Sequence, residues 1–257
     1  VTPALFWQVF RLQVLMTLRT PDTLHVFVTA PLYTCVFLAI TEHADRRDLA
    51  GFAVLAPVLM SLWSMALMAG GELIGHERER GTLEAVVATP ARYSAVVTAR
   101  IAAVTVLSTL SLAEAWLVAW AGFGLVVTIA HPLLFVVGVL LTAAAMAGTA
   151  SCVSALFVLA PSARILQNTL SFPFFLLGGV LVPVSYLPDW LRPASKAVFL
   201  TWSADVLRDA VSPGPARDTT GGLLAVLLLG LAGYAAGTLL IDRILRRVRV
   251  TGTLARM

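Results

Sequence analysis

From Thr98 to Val184 the chain carries only three charged side chains, Arg100, Glu114 and Arg164. Water cannot be kept off such a stretch by its own surface, because a soluble domain needs about a quarter of its residues charged. The whole chain shares the bias. Of 257 residues, 12% are charged and 59% hydrophobic, and the mean hydropathy is +0.89. At about 20 apolar residues per bilayer crossing, this length holds five or six spans and little else. Disorder, collagen and a disulfide-stapled secreted scaffold are excluded by the same figures. The chain reads as an all-α integral membrane protein in a single domain over 1–257.

Six apolar segments follow one another: 23–41 with Pro31, 50–74 with Pro57, then 98–121, 132–159, 164–184 and 221–241. Ahead of them, residues 4–19 mix Phe6, Trp7, Phe10 and Val14 with Gln8, Arg11, Gln13 and Arg19. That pattern predicts an amphipathic helix lying in the membrane interface and ending before Thr20-Pro21-Asp22. It is not the pattern of a cleavable signal peptide, since no uninterrupted apolar core and no A-x-A-like site precede Pro21. A short polar loop, 42–48, separates the first two spans, and a mixed segment, 185–219, separates the last two.

The net charge of +4 and pI near 9.6 have a membrane explanation. Placing both termini in the cytoplasm puts twelve basic residues inside: Arg11, Arg19, Arg78, Arg80, Arg92, Arg100, Arg164, Arg243, Arg246, Arg247, Arg249 and Arg256. It puts six outside: Arg46, Arg47, Arg192, Lys196, Arg208 and Arg217. Such an excess on the cytoplasmic side is the usual topological signal. No basic run carries the interleaved aromatics of a nucleic-acid stacking surface, so no nucleic-acid partner is expected. Cys35 and Cys152 both fall in apolar runs, which argues against a disulfide or a metal role. His76-Glu77 opens an H-E-x-x-H pattern, but Arg80 stands where the second His is needed.

The polar stretch ELIGHERERGTLEAVVATP, 72–90, stands out. Arg78, Glu79, Arg80 and Glu84 are too polar for lipid, while Leu83, Val86 and Val87 give an apolar side before Pro90. One reading is a short cytoplasmic helix that docks into a groove on a soluble partner; the other is a charged loop that anchors topology. Hydrolysis of ATP by this chain through a P-loop is excluded, because that loop needs Gly-Lys followed by Ser or Thr and the one lysine, Lys196, follows Ser195.

ERERGTLEAVVATP at 77–90 resembles the motif between the second and third helices of ABC-2 family exporter permeases. FPFFLLGGVLVPVSYLPDWLRP at 172–193, followed by SADVLRDAV, is similar to the fifth-helix pattern of that family, where an apolar span turns back before a short outer helix. Leu200-Thr201-Trp202 stands where an Asn-Pro pair often follows in the family. The resemblance implies six spans, a coupling helix over 76–90 and re-entrant outer helices over 185–208. It also implies a permease in a bacterial plasma membrane that pairs with a second copy or paralogue and binds two cytoplasmic ABC ATPase subunits. ATP and Mg would be held by those partners and no cofactor by this chain. The coupling contacts implied are Glu77, Arg78, Glu79, Arg80, Gly81, Thr82 and Glu84. The cargo implied is amphipathic, drug-like or lipid-like, and moves outward; a long polar glycan is the alternative, since related permeases export those too. Phe172, Phe174, Phe175, Gly178, Gly179, Pro183 and Trp190 are the candidates for its pathway and outer gate.

The rival is a secondary transporter driven by an ion gradient, whose coupling group would be Glu114. Counted from Arg100 at about 1.5 Å per residue, Glu114 lies about two-thirds of the way across its span, but no second intramembrane carboxylate offers a relay. Gly233 and Gly237 form a G-x-x-x-G, and Ala144 and Gly148 a small-x-x-x-small pair; both predict close helix packing within one chain rather than a dimer contact.

Overall fold

The computed structural model describes residues 3–19, 24–46, 49–79, 93–159, 163–214 and 219–251. Every regular element among them is a helix. In chain order these are α1 (Pro3–Arg19), α2 (Leu24–His43), α3 (Ala50–Glu79), α4 (Tyr93–Ser108) and α5 (Leu110–Phe123). Then come α6 (Pro132–Leu159), α7 (Ala163–Leu177), α8 (Arg192–Lys196), α9 (Phe199–Val211) and α10 (Thr219–Thr251), with a 3-10 turn at Val184–Tyr186.

Four helical stretches are long and apolar enough to cross a membrane: Ala50–Gly70, Tyr93–Phe123, Pro132–Ala155 and Thr219–Ile244. Two segments expected as spans, α2 and α7, are not in that set. The expected helix over 164–184 stops at Leu177 after 15 residues, about 22 Å, against a hydrocarbon core of about 30 Å. Gly178-Gly179 ends it. Gly179 takes φ +64°, a left-handed conformation that glycine adopts without a Cβ clash. The Gly179 N–H donates to the Leu176 carbonyl and the Val180 N–H to the Phe175 carbonyl, the paired bonds that satisfy a helix end of this kind.

The segment expected as one helix over 98–121 begins earlier, at Tyr93, and is broken at Thr109. No proline is involved. Thr105, Ser108, Thr109 and Ser111 each turn a hydroxyl back onto a carbonyl three or four residues earlier, a habit that bends helices. At the same point the ladder tightens, with the Thr109 and Leu112 N–H groups bonding carbonyls three residues back.

α3 is the axis of the molecule. It packs against α2, α4, α5, α6, α7 and α9, and every side chain from Ala53 to Trp63 is buried. A helix apolar on all sides fits only where others surround it.

α6 and α10 make the closest helix pair. A Cβ on Gly230 would stand 2.8 Å from the Ala145 Cα, one on Gly233 3.0 Å from the Thr149 Cα, and one on Gly237 2.7 Å from the Cys152 nitrogen. From the other side, a Cβ on Gly148 would meet the Gly230 carbonyl oxygen at 2.6 Å. The glycine pattern therefore serves packing within one chain, as expected. Ala144 is an exception: it is exposed, and Ala145 faces α10 in its place.

α1 lies along α4, with Phe6, Phe10 and Val14 half-buried and Gln8, Arg11 and Arg19 exposed. Thr17 is buried and Gln13 half-buried, the Gln13 amide donating to the Thr17 hydroxyl at 3.2 Å. Trp7, Leu12, Leu15 and Leu18 are exposed, the arrangement of a helix whose outer surroundings are apolar.

Candidate functional site

Two regions matter, and they lie at opposite ends of α3. At its C-terminal end, the apolar part Ala50–Gly70 gives way to nine further helical residues through Glu79, which extend about 13 Å beyond it. Glu77, Arg78 and Glu79 stand on that last stretch of helix, which is continuous with the span. Arg80, Gly81, Thr82 and Glu84, and with them the rest of the expected segment 76–90, lie outside the described residues.

At the N-terminal end of α3 sits the turn between α7 and α9. It begins at Gly178, earlier than the expected segment 185–208, and α9 continues past 208 to Val211. Packing makes the first tie. The Trp63 ring stacks on Phe174 at 4.4 Å and meets Phe199 at 5.8 Å, joining α3, α7 and α9. A Cβ on Gly178 would come within 2.8 Å of the Leu200 side chain, so glycine lets the turn close onto α9. Hydrogen bonds make the second tie. The Thr201 hydroxyl lies 3.0 Å from the Leu177 carbonyl oxygen and 2.7 Å from that of Ser195, sharing its one proton between them. The Trp202 indole N–H donates to the Lys196 carbonyl at 2.9 Å. Arg192 donates to the Ser185 and Leu187 carbonyls and pairs with Asp189 at 2.8 Å. The far end of α9 is held too: the His131 N–H donates to the Ala210 carbonyl at 2.9 Å.

Arg208 makes the third tie. Its Nη2 donates to the Gly179 carbonyl at 2.6 Å, its Nη1 lies 3.5 Å from Asp205 Oδ1, and its guanidinium carbon stands 4.5 Å from the centre of the Phe52 ring. The side chain is 19% exposed. One cation thus spans α9, the turn after α7 and the first turn of α3. A guanidinium over a ring face is attracted by the ring's quadrupole, the more so where water is excluded.

The pathway candidates do not share one surface. Phe174 and Phe175 point inward, Phe174 half-buried against Trp63 and Phe175 in the core. Phe172 and Trp190 point outward, 67% and 77% exposed. Gly178 and Gly179 form the turn, and Pro183 precedes the 3-10 turn. Glu114 sits on α5, partly exposed, with its Oε2 buried and without a hydrogen-bond partner. Among the described residues no cluster of His, Cys, Asp or Glu is placed to hold a metal ion.

Sequence reasoning missed Trp63, Thr201 and Arg208 as members of the site. Arg208 carried a signal, being the one basic residue in the largely apolar stretch FLTWSADVLRDAV. Trp63 and Thr201 carried none, because nothing in a string of letters says that α3 and α9 meet.

The model of the ABC-2 type transporter family matches residues 4–211, from α1 to the end of α9. No curated protein matches the chain.

Proposed function

The chain belongs to the ABC-2 type transporter family, and from that premise we propose that it is the membrane subunit of an ATP-driven exporter of amphipathic, drug-like or lipid-like molecules. A domain of this family is a permease-type transport domain in a multi-pass membrane protein, and it works with an ABC ATPase. The finer reading is ours. The permease pairs with a second permease, receives two ATPase subunits at the cytoplasmic end of α3, and exports its cargo past the turn between α7 and α9. α2 and α7 complete a six-span layout, α7 by way of its re-entrant continuation. The setting is a bacterial plasma membrane.

One observation carries this reading: α3 runs from the α7–α9 turn to the charged segment at its other end without a break. Phe52 and Glu77 are 25 residues apart on one helix, about 38 Å. A partner that pulls on Glu77, Arg78 and Glu79 therefore moves a rod whose far end bears on the turn. Glu77, Arg78, Glu79, Arg80, Gly81, Thr82 and Glu84 are the contacts we assign to the ATPase. Co-reconstitution with the ATPase from a neighbouring reading frame tests the reading: a fluorescent lipid should leave the inner leaflet only with ATP present. Full transport with no ATPase bound would overturn it.

Two further results are expected. A reporter enzyme fused after Met257 should be active only on the cytoplasmic side, because twelve of eighteen basic residues lie on that side of the layout; activity only outside would reverse the orientation. Glu114→Gln should leave transport within about twofold. Among the described residues Glu114 is the one carboxylate away from the end of a candidate span, and a proton relay needs a second group. Loss of transport together with dependence on a proton gradient would restore the rival mechanism.

A further inference from the structure

We propose that Arg208 is the latch that holds the outer turn closed, and that opening the pathway requires its release from the Gly179 carbonyl. The inference deepens the exporter reading and rests on it for the direction of opening. Its ground is the geometry: Arg208 bridges α9, the Gly178-Gly179 turn and Phe52 at the outer end of the α3 rod.

The chemistry suits a bond that is broken in each cycle. The acceptor is a neutral carbonyl, and the carboxylate, Asp205, stands back at 3.5 Å. Separating a buried, tight ion pair leaves an uncompensated charge, whereas breaking one hydrogen bond from a charged donor to a neutral carbonyl costs less. The neighbouring cation, Arg192, shows the contrast. Its 2.8 Å pair with Asp189 and its bonds to Ser185 and Leu187 stay within one loop and tie it to no span. Releasing Arg192 would therefore free nothing on α3.

When α3 shifts and carries Phe52 away, the guanidinium loses its ring and keeps only the Gly179 carbonyl and Asp205, so the Arg208 tie is the first of the three to weaken.

The test is labelling of a cysteine at position 180, beside the latch, in purified protein free of its two native cysteines, Cys35→Ala and Cys152→Ala. Val180 is fully buried, so Val180→Cys should react slowly with a polar maleimide. Arg208→Gln should raise the rate about tenfold or more, the effect of losing one hydrogen bond from a charged donor. Phe52→Leu, which removes the ring and leaves the arginine, should raise it less. A cysteine at the buried Val226 of α10, Val226→Cys, should stay slow throughout. An unchanged rate at 180, or an equal rise at 226, would overturn the latch. Should Arg208→Gln not fold, Arg208→Lys, which keeps the charge and loses the planar fork, decides it by the same two rates. No ATPase or cargo is needed, so the latch can fail while the exporter reading stands, and the reverse.

Discussion

Reversing two charges of the E-R-E-R sequence, Arg78→Glu with Arg80→Glu, is expected to lower ATP-driven export by about a hundredfold or more while the protein inserts normally. The factor follows from the charges. Close pairs across a protein interface couple by about 1.5–7 kcal/mol, and a loss of about 2.7 kcal/mol is already a hundredfold. Reversal does more than deletion, because at each assigned contact it would replace an attraction with a repulsion. Insertion is spared because the apolar stretch Ala50–Gly70 is untouched. Orientation is spared because in the proposed layout the cytoplasmic side still keeps ten basic residues against six. The measurements are transport in vesicles, ATPase activity of the complex and recovery of the ATPase by pull-down. Hydrolysis that continues while transport stops places the fault in coupling. Loss of the ATPase from the complex places it in docking, and both support the assignment. Export by the double mutant at the wild-type rate would remove it.

Much of the molecule could be read from the letters, for physical reasons that differ by region. Apolar runs fix where helices exist, since a bilayer leaves no other solution for the backbone, and α2, α3, α6 and α10 lie where the composition put them. Helix ends were harder. The apolar run through Val184 hid the stop at Leu177, because leucine and valine are equally at home in a span and in a buried turn; only Gly178-Gly179 betrayed it, and glycine also occurs within spans. The break at Thr109 was hidden for the opposite reason. Hydroxyls satisfied by their own helix count as mildly polar in a hydropathy window, yet they bend the backbone. The contacts of the site were least legible. Trp63 meets Phe174 and Phe199 across more than a hundred positions of sequence, and no local pattern encodes such a meeting.

Gly237→Leu is expected to be among the most damaging single substitutions in the spans. At that position the first atom of any side chain would stand 2.7 Å from the Cys152 nitrogen and 2.8 Å from the Ser151 carbonyl carbon. Both are backbone atoms in the middle of α6, so neither can swing aside as a side chain would. The helices must instead separate along a seam that also holds Gly148, Gly230 and Gly233, and in a membrane this packing is a main source of helix association. Overpacking a core commonly costs about 1–3 kcal/mol and sometimes more; here the whole seam opens, so the upper end applies. A loss of about 3 kcal/mol should lower the unfolding midpoint by about 10 °C, with a matching fall in the yield of monodisperse protein. Gly122 supplies the comparison, since a Cβ there would meet nothing within 4 Å. Gly122→Ala should leave the midpoint unchanged or raise it, by up to about 1 kcal/mol of helix propensity. The pair also separates packing within one chain from packing between chains. If Gly237 served a dimer contact, Gly237→Leu would shift the oligomeric state in detergent and leave the unfolding midpoint of the single chain where it was.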